Sequence, residues 1–166
     1  MAKITLIDYS DMVKDMLQSE KVAWLHEWSS EIKSQAARNC KMDDKGQLRG
    51  SYENYVDEQR GEAFIGTPLE SGYWEEFGTG EHAVDTSKSR NGWWVYVKGQ
   101  ASQGGGTTYA TQEEAQAVAA SMQAEGLDAY ATNGRDPQHT LENAFNMTEP
   151  KMKADLQSRL SKGGGT

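Results

Sequence analysis

Residues 8–40 read DYSDMVKDMLQSEKVAWLHEWSSEIKSQAARNC and contain neither glycine nor proline. Val13, Leu17, Trp24, Leu25, Trp28, Ile32 and Ala36 recur largely at three- and four-residue steps, with charges between them. That is the period of an amphipathic helix. Ser10 or Asp8 is placed to cap its start, and Gly46 closes the turn that follows. A helix of roughly 30 residues is long for a small domain. It is expected to kink near Gln18–Lys21 and to pack across a sheet or against a neighbouring subunit.

Beyond this helix the period changes. Leu48, then Tyr52, Asn54 and Val56 alternate with polar residues, Arg60-Gly61-Glu62 makes a turn, and Ala63–Thr67 returns. This predicts a β-hairpin, with Pro68 ending its second strand. Gly72-Tyr73-Trp74-Glu75-Glu76-Phe77-Gly78-Thr79-Gly80 reads as a tightly specified turn, dense in aromatics, carboxylates and glycines. Residues 81–92 read as an exposed loop. Trp93–Val97 reads as a buried strand, followed by a loose tip over Gly99–Thr107. Thr107–Ala110 is a short strand, and Thr111 with Glu114 forms a capping box before a helix that ends at Gly126. Leu127–Thr132 is a strand and Asn133-Gly134 a turn. Asp136-Pro137 is placed to start a helix through Leu141, Ala144 and Phe145. Thr148 with Pro150 then opens a last helix carrying Met152, Leu156 and Leu160. The reading is an α+β fold over residues 1–166, one domain, with long N-terminal and C-terminal helices on a mostly antiparallel sheet. Residues 81–107 form its exposed loop and hairpin, and residues 161–166 a flexible tail.

Composition excludes several functions. The 166 residues carry 17 Lys+Arg against 25 Asp+Glu, a net charge of -8, and 36% are hydrophobic. Mean hydropathy is -0.80. The deficit of positive charge is spread along the chain, so it belongs to the folded surface. It argues against tight binding to nucleic-acid backbones and against an anionic membrane surface. The single Cys40 rules out an internal disulfide and a cysteine metal site, and suits a reducing, cytoplasmic place of synthesis. No apolar run approaches the roughly 20 residues of a membrane helix. The N-terminal Met1-Ala2-Lys3-Ile4-Thr5 has no signal-peptide core.

Catalytic constellations are scarce. Glu75 and Glu76, read on a strand, point to opposite faces and make a poor acid–base pair. Glu70 with Glu76, or Glu76 with Glu81, could meet through the fold. Carboxylates bonded to turn amides or to a partner's basic groups are the plainer reading. His26, His82 and His139 are far apart and lack metal-ligand spacing. Cys40 lacks the surroundings of a thiol nucleophile. Gly104-Gly105-Gly106 lacks the Lys-Ser/Thr of a phosphate-binding loop. Trp93-Trp94 suits sheet packing better than base stacking. No catalytic, cofactor-binding or metal residue is assigned, no cofactor is expected, and the chain is read as no enzyme.

The order of short motifs carries more. After a long helix ending Ala37-Arg38-Asn39 come Gly46-Gln47-Leu48-Arg49-Gly50-Ser51, Ile65-Gly66-Thr67 and Tyr73-Trp74-Glu75-Glu76-Phe77-Gly78-Thr79-Gly80. Gly92-Trp93-Trp94-Val95-Tyr96 follows, then Asn133-Gly134-Arg135-Asp136-Pro137 before Leu141–Phe145. Over roughly residues 20–160 this resembles the minor tail component, or tail-completion, family of long-tailed double-stranded-DNA phages.

The resemblance implies a structural virion protein of the phage neck, made in the host cytoplasm. It would form a ring, taken as a hexamer, joining the head connector or stopper protein to the tail terminator or tail tube. DNA would only pass through the lumen, without specific binding, and no membrane is involved. The assembly and turn residues it implies are Leu48, Arg49, Ser51, Gly66, Tyr73, Trp74, Glu76, Phe77, Gly78, Thr79 and Gly80. Arg49 and Glu76 would be polar anchors, Tyr73, Trp74 and Phe77 the packed side of the turn, and Gly78 and Gly80 its backbone pivots. Two alternatives stand beside it: a small carboxylate-dependent cell-wall hydrolase of the phage tail, or an acidic interaction or inhibitor module.

Overall fold

The structure, a computed structural model, describes residues 10–41, 46–99 and 106–163. Its elements are α1 (Ser10–Asn39), α2 (Gln47–Gly50), β1 (Glu53–Asp57), β2 (Glu62–Gly66), α3 (Glu70–Phe77) and β3 (Thr79–Gly80). A 3₁₀ turn (Thr86–Lys88), β4 (Trp94–Val97), α4 (Gln112–Ala124), β5 (Ala129–Thr132), β6 (Gly134–Arg135) and α5 (Thr140–Gly163) follow. The fold is α+β. Its strands form three two-stranded antiparallel ribbons, β1–β2, β3–β6 and β4–β5. Two compact units result: residues up to Leu69 together with Thr140 onward, and Glu70–His139.

In the first unit α1 runs unbroken through Gln18–Lys21. Its Ile32 and Ala36, with Cys40 just beyond its end, form a core with Leu48, Tyr52 and Ala144. Ala37, Ile65, Leu141 and Met152 pack against it. Ala36 and Ala144 are both fully buried. Having no atoms beyond Cβ, they let α1 and α5 approach closely. The two helices are antiparallel: Met147 meets Gln35, whereas Asp155 and Arg159 meet Trp28 and Glu27. Beyond the core the contact is polar. The Trp28 indole N–H donates to Asp155 at 3.0 Å, and Arg159 donates to the same carboxylate at 2.8 Å and to Glu27. The Trp28 hydrogen bond, with help from Arg159, holds the Asp155 carboxyl below its ordinary range.

The expected strand start at Leu48 is instead the helical turn α2. Gly46 reverses the chain at φ 75°, and the Gly50 N–H returns to the Gly46 carbonyl at 3.0 Å. From Tyr52 onward the alternation holds. Tyr52 and Val56 are buried, and Asn54 donates to the Ser29 hydroxyl at 2.9 Å. Tyr55 and Phe64 face each other across the ribbon on its outer face. The Asp57 carboxylate accepts the N–H groups of Gln59 and Arg60, which closes the turn.

α5 departs from expectation in two ways. It begins at Thr140 rather than at Asp136-Pro137, and it passes through Pro150 without a break. Proline removes one N–H donor and crowds the preceding turn. Just before it, the Thr148 hydroxyl donates to the Ala144 carbonyl at 2.9 Å. Core contacts at Ala144 and Met152, on either side of the proline, anchor both halves of the helix.

In the second unit β4 pairs with β5 from Trp94↔Thr132 to Val97↔Ala129. Helix α4 packs on these strands through its buried Ala115 and Ala119. The capping box is present: Thr111 Oγ1 accepts the Glu114 N–H at 3.3 Å, and the Glu114 carboxylate accepts the Ala110 N–H at 3.1 Å. Gly126 takes φ 86° at the helix end. Of the strand expected over Thr107–Ala110, Tyr109 alone pairs, as a bridge to Trp93. The loose tip expected at Gly99–Thr107 lies mostly outside the described residues, as does the expected cap Asp8 and the end of the tail at 164–166.

The small α1–α5 core makes a direct prediction. Ile32→Ala should cost about 3 kcal/mol of stability, because the cavity faces fixed helix backbone. Urea unfolding followed by Trp fluorescence would measure it, and a loss near zero would show that Ile32 is not a core residue.

Candidate functional site

The segment Gly72–Gly80 is the one that the motif reading singles out. It is not a turn throughout: Glu70–Phe77 is helix α3, and only Gly78 onward turns. An isolated eight-residue helix is marginal in water. What holds this one is partnering of its last four carbonyls, which a helix cannot satisfy internally. Trp74 O accepts the Gly78 N–H at 2.9 Å, and Phe77 O accepts the Val84 N–H at 2.9 Å. Glu75 O accepts from Gln138 N at 2.8 Å, and Glu76 O from His139 N at 3.3 Å.

The helical register inverts the expected burial. Glu75 is fully buried and Glu76 is buried, whereas Tyr73 is 52% and Phe77 42% exposed. Tyr73 and Phe77 lie one turn apart, with ring centroids 4.8 Å apart on the outer face. Trp74 is half-buried. Tyr73 and Phe77 are therefore not the packed side of a turn. Glu75 faces the Arg135 guanidinium at 4.0 Å. Glu75 and Glu76 are also helical neighbours, roughly 100° apart, rather than opposite-face strand residues. Glu70 stands in the first turn of α3 and Glu76 in the last.

After α3 the chain is confined. Gly78 takes φ 75°, and a Cβ there would lie 2.7 Å from the Arg135 carbonyl oxygen. Gly80 takes φ 62°, and a Cβ would overlap the Asn133 carbonyl and come 2.7 Å from Trp94 Cη2. Thr79 and Gly80 pair with Arg135 and Gly134 as β3–β6.

A polar cluster sits on this ribbon. The Glu81 carboxylate accepts the Gly92 N–H at 3.3 Å and the Asn133 side-chain amide at 3.0 Å. That donation turns the Asn133 amide oxygen to His82 Nε2, at 3.3 Å. His82 Nδ1 lies 2.7 Å from an Asp136 oxygen. Both ring nitrogens thus face acceptors, an arrangement that only the doubly protonated imidazolium satisfies. The hydrogen bond to Asp136, and then that to Asn133, raise the His82 pKa above its ordinary 6.5. The cluster ties both ends of the 81–92 loop to the β5–β6 turn. The sequence carries no signal for it, since Asn133-Gly134 reads as a turn and Asp136-Pro137 as a helix start.

The other predicted residues stand in the first unit. Leu48 is in the core. Arg49 donates to the Cys40 carbonyl at 3.3 Å, beyond the end of α1. The Ser51 hydroxyl donates to the Leu48 carbonyl and meets the Thr67 hydroxyl at 2.6 Å. Gly66 ends β2 opposite Glu53. Cys40 is a buried core thiol, and His26 lies on the surface 3.2 Å from Glu58. The Arg90 guanidinium covers the Trp94 ring at 5.2 Å.

Two consequences can be measured. Gly80→Ala should destabilise the chain by about 3 kcal/mol, since neither the backbone angle nor the space admits a methyl group; a near-neutral effect on thermal unfolding would refute the close packing. Because the folded His82 pKa is raised, its contribution is fully present below 6.5 and lost as pH rises through the folded value. NMR titration should therefore give His82 a midpoint above 6.5 that falls in Asp136→Asn.

Among the described residues no helix is long and apolar enough to cross a membrane. No protein-family model, no curated protein and no solved structure matches this chain.

Proposed function

We propose that this chain is a structural assembly protein of the neck of a long-tailed phage. It forms a ring, taken as a hexamer, between the head connector or stopper and the tail terminator or tube, and belongs to the virion. The motif order read from the sequence is one support. The observation that carries the reading is that aromatic side chains stand outward in pairs. Tyr55 and Phe64 are 65% and 53% exposed, Tyr73 and Phe77 52% and 42%, and Tyr96 and Tyr130 both 43%.

Each pair lies within one element or one ribbon, with ring centroids 4.8–6.4 Å apart. Exposed clustered aromatics mark surfaces that are covered by another protein. A chain that buries carboxylates such as Glu75 and Glu76 while exposing rings is organised for docking rather than for presenting acid groups to a substrate. The net charge of -8 adds to this. Like charge along a lumen repels phosphates, so DNA passes without sticking.

The test uses substitutions on the docking faces. Tyr73→Ser with Phe77→Ser should change stability by less than about 1 kcal/mol, because both rings are half-exposed. The same variant should leave heads and tails unjoined in electron micrographs of assembled particles. Antibody against the chain should label the head–tail junction. Normal joining by the variant, together with label elsewhere, would refute the neck assignment.

A further inference from the structure

We propose that the outer face of the β1–β2 hairpin docks a basic, extended segment of a partner protein. Its Lys and Arg side chains lie over Tyr55 and Phe64 and pair with Glu53 and Glu62. The proposal rests on the reading of the exposed aromatic pairs as docking faces and names the chemistry that one of them takes.

Strand alternation sorts the ribbon into two faces. Asn54, Val56, Ala63 and Ile65 take one, with Val56 buried and Asn54 bonded to Ser29 on α1. Glu53, Tyr55 and Asp57 on β1 and Glu62, Phe64 and Gly66 on β2 take the other. The pairing is Glu53↔Gly66, Tyr55↔Phe64 and Asp57↔Glu62. The result is two stacked rings, 6.4 Å apart and 26° from parallel, with carboxylates at both ends. Asp57 is occupied by the turn amides and by Arg60 at 3.7 Å. Glu53 and Glu62 hold no ion pair among the described residues. Opposite Glu53, the space that a Cβ on Gly66 would enter is empty to 4 Å. The end of the ribbon therefore has room for a side chain between Glu53 and the rings.

Charge selects the occupant. A second hairpin laid face to face would set Glu53, Asp57 and Glu62 against themselves, and DNA brings phosphates to the same carboxylates. A partner bearing Lys and Arg meets the free carboxylates, and its cations find the faces of Tyr55 and Phe64. Among the described residues β1 and β2 pair only with each other, and an extended segment can set its alternate side chains along the outer face of such a ribbon.

The full chain is titrated at low salt with the synthetic peptide Lys-Thr-Arg-Val-Lys-Thr-Arg and its acidic counterpart Glu-Thr-Asp-Val-Glu-Thr-Asp, followed by NMR. The basic peptide should move the Tyr55 and Phe64 ring signals and the amides of Glu53–Asp57 and Glu62–Gly66. The acidic peptide should move none of them. Glu53→Lys with Glu62→Lys should weaken the basic peptide by about tenfold and admit the acidic one. An unchanged Ile32 signal shows that this variant is folded.

Rings that stay still, equal movement at Tyr96 and Tyr130, or affinity indifferent to charge reversal would overturn the proposal. Ring signals that move with protein concentration alone would assign the face to a second copy and overturn it as well. The assembly reading has its own arm, Tyr55→Ser with Phe64→Ser in assembled particles. Failed joining with no peptide response sinks the basic partner alone. Peptide response with normal joining supports the docking face and sinks the neck role.

Discussion

The first unit depends on how closely α1 and α5 approach at Ala36 and Ala144. Both residues are fully buried, and neither has an atom beyond Cβ. They share one core with Ile32, Cys40, Leu48 and Tyr52. Small residues bury little apolar area, so such a contact is short-ranged and intolerant of added volume. A 30-residue helix cannot be held by it along its whole length. The rest of the pairing is electrostatic, through Trp28, Asp155, Arg159 and Glu27. One helix pair therefore has a dry, salt-insensitive end and a wet end that ionic strength weakens.

The second unit depends on backbone accounting rather than on volume. Helix α3 is too short to stand alone, and its last four carbonyls are taken by Gly78, Val84, Gln138 and His139. Three of those donors come from outside the helix and its terminal turn. The close pairing of β3 with β6 brings residues 134–139 near, and Gly80 and Gly134 together permit that pairing. Glycine here is a steric requirement of backbone meeting backbone. The His82 cluster adds a second tie between the same two stretches, one that depends on protonation.

Local signals made some elements legible. Helix α1 could be read because a three-to-four-residue apolar period ran on without glycine or proline. The hairpin could be read because Tyr52, Asn54 and Val56 alternate, and α4 because Thr111, Glu114 and Gly126 carry their capping chemistry in the residues themselves. Elements decided by distant partners were not legible. Glycines flanking three aromatics look like a turn until Gln138 and His139 supply the donors that make α3 a helix. Pro150 looks like a break until the core on both sides of it is in place. Hydropathy also misplaced the rings of α3, since it sends Tyr73 and Phe77 inward and the carboxylates outward. The candidate site was legible as a segment, through Glu76–Gly80, but not as a geometry.

That inversion bears on what the chain is built to do. A polar, acidic protein with few apolar residues has reason to keep every ring for its own core. This one places Tyr55, Phe64, Tyr73, Phe77, Tyr96 and Tyr130 at least two-fifths exposed, while its buried residues, beside Ile32, Leu48, Tyr52 and Val56, include five alanines, two threonines and two glutamates. Exposed rings cost solubility unless charge surrounds them, and the spread of 25 acidic residues supplies that charge. The same charge then discriminates among partners. On the docking proposal, it would oppose self-association through the hairpin face and contact with nucleic acid, and leave the rings to a basic protein surface. Net charge, which taken alone only excludes ligands, thus becomes with the aromatic pairs a means of choosing among them.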